Sequence, residues 1–338
     1  MTKPVVLFKP APQLRERIFS AESWIRLTNN FDVIDYEAQP DDDDFAARLP
    51  TAFAVVGQPD LSADTLRAAP GLRAIVNVEG NFFPNIDYPT AFANGTRVLG
   101  CGTAYSQAVA EYSLALALDI ARGITREDHA SRDGSDAIVS ATTADSILLR
   151  GAAVGLIGYG NLGRAFHALI EPFHNVVRIH DPWLPDSIIR DTGAISASLE
   201  ETLRTSDFVF VFATATADSE HLLDAEKLDL LRYGARLILV SRAAVVDYDA
   251  LLERLRTGSL LAAIDVWPVE PIPAGDPFLD LRNVVISAHR AGGIPQAFFS
   301  IGEMVCDDLE LLRDGLPPAR LQVAAPELVS RYRNRPVG

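Results

Sequence analysis

GAAVGLIGYGNLGRAF, residues 151–166, reads as a strand, a turn and the start of a helix. Residues 152–157 form a short apolar run bounded by glycine, which predicts a buried strand. Gly158, Gly160 and Gly163 then make a G-x-G-x-x-G pattern. Its first glycine allows a tight turn, its second lets a pyrophosphate approach the backbone, and its third lets the helix pack closely on the strand. Asn161 and Leu162 open that helix, whose unpaired N–H groups suit a diphosphate. Leu162, Phe166, Leu169 and Ile170 share one helical face, and Pro172 ends the helix. A second strand, residues 176–180, leads into Asp181, which lies 18 residues beyond Gly163. That is where a ribose-binding carboxylate is expected, and an acid rather than an arginine there favours NAD over NADP.

The size and charge of the chain bound its partners. Its 338 residues suggest two domains, and 48% hydrophobic with 22% charged residues is the composition of an ordinary globular protein with ample core. A net charge of −15 repels nucleic acid and anionic membranes, so neither is expected as a partner. Cys101 and Cys306 have no paired spacing, so no disulfide framework and no thiolate metal site is expected, and a reducing cytoplasm fits. Residues 5–8 are a strand too short for a signal-peptide core. The most apolar helix, residues 109–121, is interrupted by Glu111 and Asp119, so no membrane span is expected.

Along residues 1–100, strand patterns at 5–8, 31–34, 52–56, 73–78 and 97–99 alternate with helical ones at 13–28, 45–49, 63–69 and 88–93. This predicts a small α/β domain with a mostly parallel sheet. Asp41–Asp44 suits a helix start, where acids favour the dipole. Residues 107–123 read as one long helix, apolar all round and hence buried between domains or subunits. The polar stretch 133–146 reads as a surface arm. From Gly151 the alternation restarts, with strands at 152–157, 176–180, 208–212, 236–240, 261–264 and 284–286, which describes a doubly wound dinucleotide fold. A last amphipathic helix carries Phe298, Ile301, Val305, Asp308 and Leu312 on one stripe and returns to the first domain. The expected architecture is therefore two doubly wound parallel-sheet domains. A Rossmann NAD-binding domain, residues 102–293, is inserted into a flavodoxin-like substrate domain formed by 1–101 and 294–338.

Ligands of open α/β sheets bind outside the carboxyl ends of strands. Arg242 follows the strand 236–240, Asp265 and Glu270 follow 261–264, and His289 follows 284–286. An arginine, a carboxylate and a histidine around a nicotinamide suit hydride transfer to a carbonyl. The arginine binds a carboxylate and polarises the carbonyl, the histidine exchanges the proton, and the glutamate orients the histidine.

VSRAAVVDYDALLERLRTGSLLAAIDVWPVEPIP, DPFLDLRNVVISAHRAGG, GLIGYGNLGRAF and AVAEYSLALALDIARGI together resemble the D-isomer-specific 2-hydroxyacid dehydrogenases over nearly the whole chain. The resemblance implies catalytic roles for Arg242, Glu270 and His289. It also implies that Asp265 lies near the nicotinamide and that Thr214 and Ser241 line the cofactor. The substrate is then a small 2-hydroxy or 2-keto acid, and the assembly a homodimer with the long helix and arm, residues 107–149, in the interface. By analogy the backbone N–H groups of Asn81 and Phe82 bind the substrate carboxylate. The loop carrying them departs from the family pattern, with Glu79 unexpected and Phe82 in place of a glycine, so that its ring narrows or reshapes the pocket. Arg290 after the histidine offers a cation to a second acidic group or pairs with a nearby carboxylate. No metal is implied. Two other activities share the fold: oxidation of a small anion such as phosphite, and non-catalytic sensing of NAD(H).

Overall fold

In the computed structural model, residues 2–38, 40–134 and 146–331 are described. The chain divides into two compact units, Met1–Tyr105 with Gly293–Gly338, and Ser106–Gly292. Most of the predicted arm, residues 135–145, lies outside the described residues.

Among the described residues, the first unit holds the strands β1 (Val5–Lys9), β2 (Asp32–Asp35), β3 (Ala54–Gly57), β4 (Ala74–Asn77), β5 (Arg97–Gly100) and β13 (Gln322–Val323). Their order is β13-β5-β4-β3-β1-β2. Every pairing is parallel except that of β13 with β5. The order 2-1-3-4-5 is that of flavodoxin-like sheets, which open a ligand crevice at the carboxyl edge where the winding reverses, between β1 and β3. The sheet is buried on both faces, so its strands read as continuous apolar runs rather than alternating ones. One face packs Val6, Phe8, Val56 and Val76 against Ile18, Leu27 and the helix Pro295–Arg313. In that helix Ile301, Val305 and Asp308 are fully buried.

The expected helix 13–28 is broken. Helices span Arg15–Ile18 and Ala21–Asn30, because Ser20 takes an extended conformation and caps the second through a bond from Ser23 N. Asp41 likewise caps the helix Asp42–Arg48, and Asp44 within it pairs with Arg48 and accepts the Tyr36 hydroxyl. The acidic run is thus a helix start.

The second unit holds β6 (Ala153–Ile157), β7 (Val176–His180), β8 (Ile195–Ser196), β9 (Phe208–Val211), β10 (Ala235–Leu239), β11 (Leu260–Ile264) and β12 (Val284–Ile286). All are parallel, in the order β12-β11-β10-β9-β6-β7-β8. Counted from β6 this is the 3-2-1-4-5-6 winding of the Rossmann fold with one further strand. The long helix spans Ser106–Arg122 and buries Val109, Ser113, Leu116 and Ile120. Among the described residues no helix is long and apolar enough to cross a membrane.

Candidate active site

The glycine turn has the geometry its residues require. Gly158 sits at φ +93°, and a Cβ there would fall 2.7 Å from Ala213 N, so no other residue fits. A Cβ at Gly163 would fall 2.5 Å from the Gly158 carbonyl, which is how the helix Asn161–Ile170 comes so close to the turn. Gly160, by contrast, faces open space, with nothing within 4 Å of the position its Cβ would take. Asp181 lies just past β7, where one carboxylate oxygen accepts Tyr159 N at 2.7 Å and the other Trp183 N at 2.9 Å. The carboxylate is thereby fixed beside the turn, and each oxygen keeps a further lone pair for a ribose hydroxyl. On the other side of β6, Thr214 follows β9, its carbonyl accepting the Ser219 hydroxyl. Ser241 follows β10 with a buried hydroxyl that has no hydrogen-bond partner among the described residues. An open glycine above a helix N-terminus, a ribose acid held in place and an orphaned buried hydroxyl are what a dinucleotide would fill.

The chemistry-bearing residues stand at the carboxyl ends of three adjacent strands. Leu239 of β10 is level with Ile264 of β11, and Ile264 with Ile286 of β12. Arg242 and His289 each lie three residues beyond that line, on strands about 10 Å apart with β11 between them. Arg242 opens a short 3-10 turn, Ala243–Val245, and donates from Nη1 to the Ser241 carbonyl at 2.7 Å. His289 Nδ1 lies 2.8 Å from Glu270 Oε2, while Oε1 of the same carboxylate accepts Trp267 N at 3.0 Å. The glutamate is anchored on one side and reaches the imidazole with the other. The His289 side chain is 39% exposed.

Asp265, expected beside the nicotinamide, is fully buried. Its carboxylate accepts the Ser287 hydroxyl at 2.5 Å, Arg290 N at 2.8 Å and Ala291 N at 3.1 Å. Its carbonyl accepts His289 N at 2.7 Å. One aspartate therefore fastens the whole turn that carries His289, whose backbone is left-handed at φ +52°. Sequence reasoning missed the rest of this scaffold. Tyr112 of the long helix lies 2.6 Å from the Ser287 hydroxyl, and the Trp267 indole donates to the Ser287 carbonyl at 2.7 Å. Ser287 stands two residues before His289, which was the available signal. Tyr112 lies in the helix expected to be apolar all round, a pattern that carries no sign of a polar contact.

Asn81 and Phe82 belong to the first unit, in the loop after β4. The Phe82 ring, expected to narrow a pocket, is buried in that unit's core with Val55, Ile75 and Val98. It lies against Gly100, where a Cβ would come within 3.1 Å of it.

Residues 114–291 match the family described as D-isomer specific 2-hydroxyacid dehydrogenase, NAD binding domain. The chain belongs to this family. Membership makes it an NAD-dependent oxidoreductase acting on a 2-hydroxy or 2-keto acid. It resembles a phosphoglycerate oxidoreductase from Rhizobium etli in crystal structure, with a TM-score of 0.87 and 38% identity over 96% of this chain and 99% of that one. A glyoxylate reductase of Korarchaeum cryptofilum is 28% identical over 76% of this chain and 78% of the relative. A D-3-phosphoglycerate dehydrogenase of Archaeoglobus fulgidus is 27% identical over 79% of this chain but only 50% of its own.

Proposed function

We propose that the protein interconverts a D-2-hydroxy acid and its 2-keto acid, with Arg242, Glu270 and His289 as its catalytic residues. The observation that carries the reading is the Glu270–His289 contact of 2.8 Å on a turn held by Asp265, level with Arg242 across the sheet edge. Bound NADH supplies the hydride. Glu270 holds the Nδ1 proton of His289, so the proton available for transfer sits on Nε2, from which it passes to the forming alkoxide oxygen. The Arg242 guanidinium binds the substrate carboxylate and draws charge onto the keto oxygen. In the oxidative direction neutral Nε2 takes the hydroxyl proton back. The N–H groups of Asn81 and Phe82 act as donors to the substrate carboxylate. Gly158, Gly160, Asn161, Leu162 and Gly163 hold the diphosphate, Asp181 the ribose, and Thr214, Ser241 and the Asp265 strand end the nicotinamide side. We further propose a cytoplasmic homodimer.

Turnover tests the reading. Purified protein with NADH and a panel of 2-keto acids should show oxidation of NADH at the nicotinamide absorbance. NADH bound with no acid consumed points instead to an NAD(H) sensor. The same assay reads cofactor choice: NADH should be preferred over NADPH, because the Asp181 carboxylate accepts ribose hydroxyls and repels a 2′-phosphate. Asp181→Ala should weaken NADH by about 10-fold, the value of a hydrogen bond to a charged group, and narrow the gap. Equal or better use of NADPH by the unmodified protein would refute this assignment.

Arg290 favours a second acidic group on the substrate. It is exposed, and its guanidinium has no ion-pair partner among the described residues. Two of the relatives above are named for phosphoglycerate. Phosphorylated or dicarboxylic keto acids should then outperform monoacids, and Arg290→Ala should remove that advantage. An identical substrate ranking before and after the change leaves Arg290 a solvated surface residue.

A further inference from the structure

Two tyrosine hydroxyls reach the turns that carry Glu270 and His289, from helices that supply no catalytic residue. Tyr112 belongs to the helix Ser106–Arg122, and Tyr248 opens the helix Tyr248–Arg256. Both helices and both turns lie in the unit Ser106–Gly292. Tyr112 Oη lies 2.6 Å from Ser287 Oγ. Ser287 has one hydroxyl proton and donates it to Asp265 Oδ1, so the proton between the two hydroxyls belongs to the tyrosine. Tyrosine, serine and buried aspartate thus form a one-way chain in which each bond polarises the next. The same aspartate holds Arg290 N and Ala291 N, just past His289. Tyr248, for its part, donates to the Val266 carbonyl. That carbonyl shares a peptide group with the Trp267 N–H, which donates to Glu270 Oε1. Burial, with the charges of Glu270 and Asp265 adding to it, pushes the Tyr248 hydroxyl well above the usual tyrosine range, so it stays a donor. Its ring packs on Trp267 and Phe278, with centroids 6.0 and 5.6 Å away.

The bonds around the histidine close a ring. It runs from His289 Nδ1 through Glu270 to Trp267 N, from the Trp267 indole to the Ser287 carbonyl, and along the chain back to His289. Tyr112 pins this ring at Ser287, and Tyr248 pins it at the Val266–Trp267 peptide. Neither hydroxyl bonds the imidazole or the carboxylate directly, yet each fixes the backbone that aims one of them. A reacting constellation works only while its groups are held to within about 0.5 Å, and it depends on such supports. We infer that Tyr112 and Tyr248 are positioning residues of the reaction, which act through Ser287 and through the Val266–Trp267 peptide to hold His289 against Glu270 and so keep the transferable proton on Nε2. This inference rests on the reading of Glu270 and His289 as the acid–base pair of a 2-keto acid reductase.

Tyr112→Phe and Tyr248→Phe each remove one oxygen and leave the ring of the side chain in place. With a 2-keto acid that the unmodified protein reduces, each should lower kcat by about 3- to 10-fold, the worth of one neutral hydrogen bond. KM for the acid and the affinity for NADH should stay unchanged, because the binding groups are untouched. Ser287→Ala cuts the Tyr112 chain from the other side, and in that background Tyr112→Phe should cost nothing further. The deciding background is His289→Asn. Its residual turnover owes nothing to a placed imidazole, so there both phenylalanine variants should leave the rate as it is. A general loosening of the fold would lower the rate by the same factor with and without His289. Quenching of tryptophan fluorescence by NADH reports that each variant is folded. An unchanged kcat in either phenylalanine variant, a loss confined to KM, or equal losses in the two backgrounds overturns the inference and leaves the reductase reading standing. Failure of the unmodified protein to reduce any 2-keto acid overturns the reductase reading and the inference with it.

Discussion

His289→Asn should lower kcat/KM for reduction of a 2-keto acid by about 10²- to 10⁴-fold, the usual worth of a positioned acid–base group. Asparagine is the better replacement here than alanine. The residue sits at φ +52°, a left-handed conformation that asparagine tolerates and most side chains do not, so the turn survives and the loss reports the missing proton donor. NADH affinity should stay close to that of the unmodified protein. The partner variant Glu270→Gln separates charge from shape. It keeps an oxygen near Trp267 N and a polar group near the imidazole, but it removes the anion that stabilises the imidazolium. Glu270→Gln should therefore lower kcat/KM for reduction by about 10-fold, the worth of one hydrogen bond to a charged group, with NADH affinity unchanged. Steady-state kinetics beside a direct NADH titration check this. An unchanged kcat/KM in Glu270→Gln breaks the proposed coupling.

Arg242→Ala should cost about 10²- to 10³-fold in the same quantity, since it removes a fixed cation aimed at the oxygen where charge develops. Loss should fall on kcat as well as KM, because the contact strengthens as the keto oxygen becomes an alkoxide. Arg242→Lys should recover little, as an ammonium cannot make the two parallel bonds that a guanidinium gives a carboxylate. Abolished NADH binding with turnover intact at saturating cofactor is the pattern that would show the role to be wrong.

The fold was legible wherever a strand was long enough to carry its own apolar run. Residues 176–180 and 284–286 are strands at the predicted limits. β8 and β13 are two residues each and exist only through their neighbours, so no local pattern marks them. The break at Ser20 was hidden because apolar residues on both sides keep helical spacing, while a single cap bond sets the boundary. The strand-end positions of Arg242, Glu270 and His289 could be read from the alternation of elements. What could not be read was the anchoring role of Asp265: expected only near the nicotinamide, it is sealed inside the turn that carries His289. The direction of the Phe82 ring was hidden for a similar reason: it depends on the space left by Gly100, on another strand.

The first unit is closed by the helix Pro295–Arg313 and the strand β13, both of which come late in the chain. The ribosome therefore delivers Ser106–Gly292, an uninterrupted unit, before the first unit can be finished. Until that helix emerges, Ile18, Leu27 and Phe31 lack the cover of Ile301, Val305 and Leu309, with which they share a core. Arg26 likewise waits for Asp307 and Glu310. During synthesis the nascent amino-terminal segment must stay unaggregated with part of its core uncovered, and its last contacts form only after the cofactor-binding unit is already complete.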